Sequence, residues 1–149
     1  MQELKIQYQS NSFPRKAIQD GITLDEVAWA HGFGEYLAGG KGKEQLSTTK
    51  LRKFFGELRR LEAEIEPKDF KTDQLVMLIP KLAYDVGRTK KDNRGNKVRV
   101  EDFYRELTSG ISEVKEYTHF KNFIKLVEAI VAYHKVYESS NNNKNSDNH

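Results

Sequence analysis

The chain has 149 residues, enough for one domain that buries about 68–70% of its unfolded surface and folds without a staple. It has no cysteine, so disulfides and thiolate metal sites are excluded, and its four scattered histidines do not replace them. The formal net charge is +3, yet residues 41–60 carry seven Lys/Arg against two Glu, and residues 88–99 carry six against Asp92, which leaves the remainder at −7. Positive charge this concentrated favours an anionic partner over mere solubility, although solvated faces and loops produce the same composition.

Residues 1–22 are polar and weakly patterned, with turn signals at Phe13-Pro14 and Asp20-Gly21. They predict a loosely held arm. Nothing there resembles a signal peptide, and no segment approaches the roughly 20 apolar residues of a membrane span, so the expectation is a soluble, cytoplasmic protein with no membrane partner. Thr23-Leu24-Asp25-Glu26 has the form of a capping box and starts a helix running toward Leu37, with a break permitted near Gly32 and Gly34. The connection Gly39-Gly40-Lys41-Gly42-Lys43 is not a phosphate loop, because Glu44 stands where a Ser or Thr is needed and a helix, not a strand, precedes it. It reads as a flexible basic connection.

Ser47-Thr48-Thr49 offers N-caps for a second helix that ends near Ile65, before Pro67. Leu51, Phe54, Phe55, Leu58, Leu61 and Ile65 make its apolar stripe. Arg52, Lys53, Gly56, Arg59 and Arg60 fill an arc on the opposite side. A third helix is expected over 73–88, kinked at Pro80, with Leu75, Leu78, Ile79, Leu82 and Val86 turned inward. Met77, Lys81, Tyr84 and Arg88 form a separate stripe on it, either a tyrosine packed between solvated cations or a face for a polyanion with exposed sugar or base surface.

Residues 89–99 predict an exposed cationic loop containing Lys90, Lys91 and Arg94. A fourth helix is expected from about Val100, presenting Phe103, Leu107, Ile111 and Val114, with Gly110 as a weak point. The last helix, over 117–138, is apolar on two faces. Phe120, Phe123, Ile124, Val127, Ile130, Val131 and His134 form one, and Leu126, Ala129, Tyr133 and Val136 the other. Such a helix is either central to its bundle or covered by another subunit. The polar tail from Ser139 reads as disordered. The fold predicted is all-α, a single-domain bundle of about five helices, with the helical domain over 23–138.

No catalytic arrangement is legible. His134 lies on an apolar helix face and reads as a core histidine with a hydrogen-bonded ring. No His-Glu-x-x-His, Glu-x-x-His or nucleophile elbow occurs, and no histidine follows an arginine at the spacing of the small helical ribonucleases. No metal or cofactor is expected.

Three blocks carry a family likeness: Thr48-Thr49-Lys50-Leu51-Arg52-Lys53-Phe54-Phe55; Pro80-Lys81-Leu82-Ala83-Tyr84 with Gly87-Arg88; and Glu128-Ala129-Ile130-Val131-Ala132-Tyr133-His134-Lys135. In this order they resemble the small subunit of the type III-A CRISPR effector, the Csm complex, over about residues 24–138. The resemblance implies a helical, non-catalytic subunit stacked in several copies along the channel that holds guide and target RNA. Its partners would be crRNA, target RNA, other Csm subunits and copies of itself.

Base pairing reads sequence in such a complex, so a lining protein needs only to hold phosphates and A-form shape. Lys50, Arg52, Lys53, Arg59, Arg60, Lys81 and Arg88 are the RNA-binding candidates, and Tyr84 either stacks or packs. Ala129, Tyr133 and Val136 are candidates for subunit contact. The competing expectation is a helical protein-interaction adaptor whose basic helix meets an acidic partner.

Overall fold

The computed structural model describes residues 4–39, 46–89 and 96–146. The flexible basic connection expected at 40–43 and the cations Lys90, Lys91 and Arg94 lie outside them. The described chain is all-α, with helices α1 (Lys16–Asp20), α2 (Leu24–Ala38), α3 (Thr48–Glu64), α4 (Asp73–Val76), α5 (Leu78–Arg88), α6 (Asn96–Ser112) and α7 (Tyr117–Ser146). No strand occurs among the described residues. The single-domain bundle is built on one core, in which Phe33, Leu37, Leu51, Leu58, Leu107, Phe120 and Phe123 are buried together.

The cap signals act where the sequence places them. Glu26 reaches back so that its carboxylate accepts the Thr23 backbone N–H at 2.8 Å, and Ser47 Oγ accepts the Thr49 N–H at 3.2 Å. Gly32 and Gly34 do not break α2. They sit where other backbones pass: a Cβ on Gly34 would lie 2.8 Å from Tyr133 Cβ and 2.9 Å from the His134 amide, and one on Gly32 would collide with the Ile6 carbonyl. Close approach of α7 therefore explains Gly34, and close approach of the N-terminal arm explains Gly32.

Several boundaries differ from expectation, each for a physical reason. The third helix is two: α4 ends at Val76 and α5 begins at Leu78. A proline ring crowds the carbonyl four residues earlier, so Pro80 stops the helix at Val76, upstream of the proline itself. Helix α6 starts at Asn96, inside the predicted loop, where Arg99 Nε donates to the Tyr36 carbonyl at 3.0 Å and its guanidinium lies 5.1 Å from the Tyr36 ring centre. That anchor is tertiary and invisible to local patterning.

The C-terminal half of the N-terminal arm packs on the bundle. Phe13 and Ile18 are buried, Trp29 Nε1 donates to Ser12 Oγ at 2.9 Å, and Asn122 Nδ2 donates to the Ile18 carbonyl at 2.9 Å. Gly110, expected as a weak point, leaves room for the rings of Phe13 and Phe123. Helix α7 runs on to Ser146 through residues expected to be disordered. Extending a formed helix costs far less than nucleating one, which offsets the poor propensity of Asn and Ser.

The second apolar face of α7 is turned to α2, not to solvent. Leu126 is fully buried, Ala129 packs against the core, and the Tyr133 ring stacks on His31 with centroids 4.1 Å apart. Of the three residues expected at a subunit contact, Val136 alone remains well exposed. His134 is the core histidine predicted: its Nε2 bonds the Leu46 carbonyl at 3.0 Å, and burial holds its pKa below the usual imidazole value.

Candidate nucleic-acid interface

Helices α3 and α5 run antiparallel without touching closely, and a cleft of about 450 Å³ lies between them. Two polar cross-bridges frame it. At one end Lys50 Nζ, from the first turn of α3, donates to Thr89 Oγ1 at 3.0 Å, and Thr89 Oγ1 donates to the Asp85 carbonyl at 2.7 Å just past the end of α5. At the other end Lys81 Nζ stands 3.5 Å from Glu57 Oε2. The floor between them is apolar, made by the nearly buried Phe54, Leu78 and Leu82.

The banks are cationic and aromatic. Lys53 projects from α3 with no carboxylate in ion-pair range among the described residues, and Arg88 lies 5.5 Å from the centre of the Tyr84 ring. Tyr84 is 65% exposed and Met77 is 58% exposed, so the α5 bank presents apolar surface to solvent. Glu57 and Asp85 also line the cleft. Glu57 is neutralised: Arg60 first and Lys81 second hold its carboxyl below the ordinary carboxylate range.

Of the residues predicted to meet RNA, Lys50, Lys53, Lys81 and Arg88 share this cleft with Tyr84. The others do not. Arg52 lies beside Lys135 in a smaller hollow between α3 and α7. Arg59 is paired with Glu62 at 2.8 Å and Glu128 at 3.5 Å, and Arg60 with Glu57 at 2.9 Å and Glu64 at 3.0 Å. The far half of α3 therefore neutralises its own arginines. Local spacing does show Glu57 and Glu64 within reach of Arg60, whereas the pairing of Arg59 with Glu128 requires α7.

Met77, which the spacing places on one stripe with Lys81, Tyr84 and Arg88, forms part of the cleft wall with them. Lys135 is not among the candidates read from the sequence, and it joins Arg52 because α3 and α7 pack antiparallel. Lys135 closes the third family-like block, and its charge was the signal available there. Among the described residues no group of three or more His, Asp or Glu is placed to hold a metal ion, and no helix is long and apolar enough to cross a membrane.

Four cations of this helical domain, Lys50, Lys53, Lys81 and Arg88, line one interhelical cleft. The family model Csm2 Type III-A matches residues 25–140, and the chain belongs to that family. It is thus a structural subunit of the type III-A CRISPR complex, with other Csm subunits as its partners. No curated protein and no solved structure matches the chain.

Proposed function

We propose that this subunit holds RNA within the type III-A complex, lining the channel for crRNA and target RNA with the cationic banks of the α3/α5 cleft, in several stacked copies. The observation that carries the reading is the convergence of Lys50, Lys53, Lys81 and Arg88 from two helices on one cleft. Rigid helices hold these charges at fixed spacing, so phosphates are met without reorganisation. Arg52 and Lys135 extend the same positive field along the next seam. Each neutralised phosphate releases counterions, which makes binding salt-sensitive and indifferent to base sequence.

The test is RNA retention by the assembled complex across a salt series. Lys53→Glu with Arg88→Glu should weaken retention on all sequences alike and flatten its salt dependence, with helicity intact. Arg60→Glu, whose charge is already spent on Glu57 and Glu64, should have a smaller effect. Unchanged retention in the double variant at low salt would remove the cleft from the interface. The exposed Met77 and Tyr84 also suit a protein partner. That adaptor reading is the one left if RNA does not bind.

A further inference from the structure

The cleft is more than a row of cations, and its shape restricts what can enter it. An RNA duplex presents phosphates and riboses outward and keeps its base faces stacked inside, so it can satisfy the rim but not the apolar floor. Phosphates alone would leave the exposed Met77 and Tyr84 on the α5 bank, and the small edges that Phe54 and Leu82 show at the bottom, against water. The cross-bridges Lys50–Thr89 and Lys81–Glu57 span the cleft from helix to helix and divide the space along it. The cleft volume of about 450 Å³ falls within the range of roughly 300–1,000 Å³ typical of clefts that take small organic groups.

We infer that the cleft seats an unpaired nucleotide, with the base on the apolar floor against the Tyr84 ring and the flanking phosphates on Lys53 and Arg88. This rests on the RNA-holding reading above and narrows it from backbone to base. Tyr84 is suited to the role: it is exposed, and Arg88 over its ring restrains the side chain and adds a cation to the same stack. Every base has a π-face, so the seat is tolerant of sequence, as a guide-directed complex requires. The excess of cations over carboxylates on the banks, with Glu57 already held by Arg60 and Lys81, favours this occupant over a protein segment.

Three probes decide it with the full-length chain: a short single-stranded RNA, the same RNA as a blunt duplex, and the same strand carrying abasic nucleotides. The chain should prefer the base-bearing single strand. Tyr84→Ala should weaken that binding about 5- to 150-fold, the range of one stacked base, and leave duplex and abasic binding nearly unchanged. Tyr84→Phe should retain it, and Lys53→Glu should weaken all three. If Lys53→Glu weakens binding while Tyr84→Ala leaves the single strand unaffected, the base seat is wrong and the RNA reading stands. If none of the probes binds at low salt, both fall. If Tyr84→Ala spares RNA binding but blocks assembly with the other Csm subunits, the cleft is a protein-docking site and the inference is overturned.

Discussion

Glu106 is a carboxylate without exposed surface, on α6 beneath the N-terminal arm. One oxygen accepts the Ser12 N–H at 3.2 Å and the other has no hydrogen-bond donor among the described residues. Burial raises its pKa, opposed by the backbone N–H groups of Ser12 and Asn11, raised further by Asp102 and lowered again by Arg105. The folded state therefore holds this proton more tightly than the unfolded chain, so the contribution to stability is present at low pH and is lost as pH rises through the folded pKa. Glu106→Gln keeps an acceptor for Ser12 and removes the charge. Its gain in thermal midpoint over wild type should be larger at pH 7.5 than at about pH 4.3, the unperturbed Glu pKa; equal gains would mean that the carboxyl is not protonated on folding.

Two glycines on different helices give opposite expectations from the same substitution. Gly56→Ala places a methyl in open space on exposed α3 and should stabilise by about 0.5–1 kcal/mol in denaturant melts. Gly34→Ala puts a Cβ against the α7 backbone, where helix separation is the only relief, and should destabilise by about 1–3 kcal/mol. If an RNA backbone approaches α3 between its cationic pairs, Gly56→Leu will weaken retention while Gly56→Ala changes it little. Retention equal to wild type in Gly56→Leu would make that glycine incidental.

At the scale of elements, α3 serves two neighbours. Toward α7 it makes a polar seam, with Thr48 donating to Glu138, Arg59 paired to Glu128, and Lys121 bonding Glu62. Toward α5 it presents Lys50, Lys53 and Glu57 to the cleft. Exposed pairs such as Arg59–Glu128 contribute about 0–1 kcal/mol each, so Arg59→Ala should shift the unfolding midpoint little. The same substitution should also leave RNA retention nearly intact, whereas Lys53→Ala should lower it. A larger RNA defect in Arg59→Ala than in Lys53→Ala would place the interface on the α7 side.

For the molecule as a whole, the arm belongs to the domain even though the family match begins at residue 25. Phe13 sits in edge contact with Trp29 at 5.4 Å between centroids, and Ile18 is fully buried. Phe13→Ala should cost about 3–5 kcal/mol, and removal of residues 1–22 should abolish a cooperative transition by circular dichroism. A truncated chain that melts as sharply as the intact one would show that the arm is dispensable. Its attachment was not legible in sequence because Phe13 and Ile18 are isolated apolar residues in a polar segment, and only long-range contacts bury them.

What the sequence determined by itself was the helical class, the main apolar stripes, the capped starts of α2 and α3, the core character of His134 and the family. These follow from periodicity, capping chemistry and local motifs, which act over a few residues. Tertiary structure decided which cations are available. Arg59 and Arg60 share an arc with Lys53 in sequence, and Glu57, Glu62 and Glu64 pair with them inside the same helix, but only packing adds Glu128 to Arg59 and sets Lys53 at a cleft with Lys81 and Arg88. It also turned the second face of α7 to α2, because Gly34 lets the two backbones close. Charge and apolarity are properties of residues, but whether they are spent within the fold depends on what the packing brings within a few ångströms.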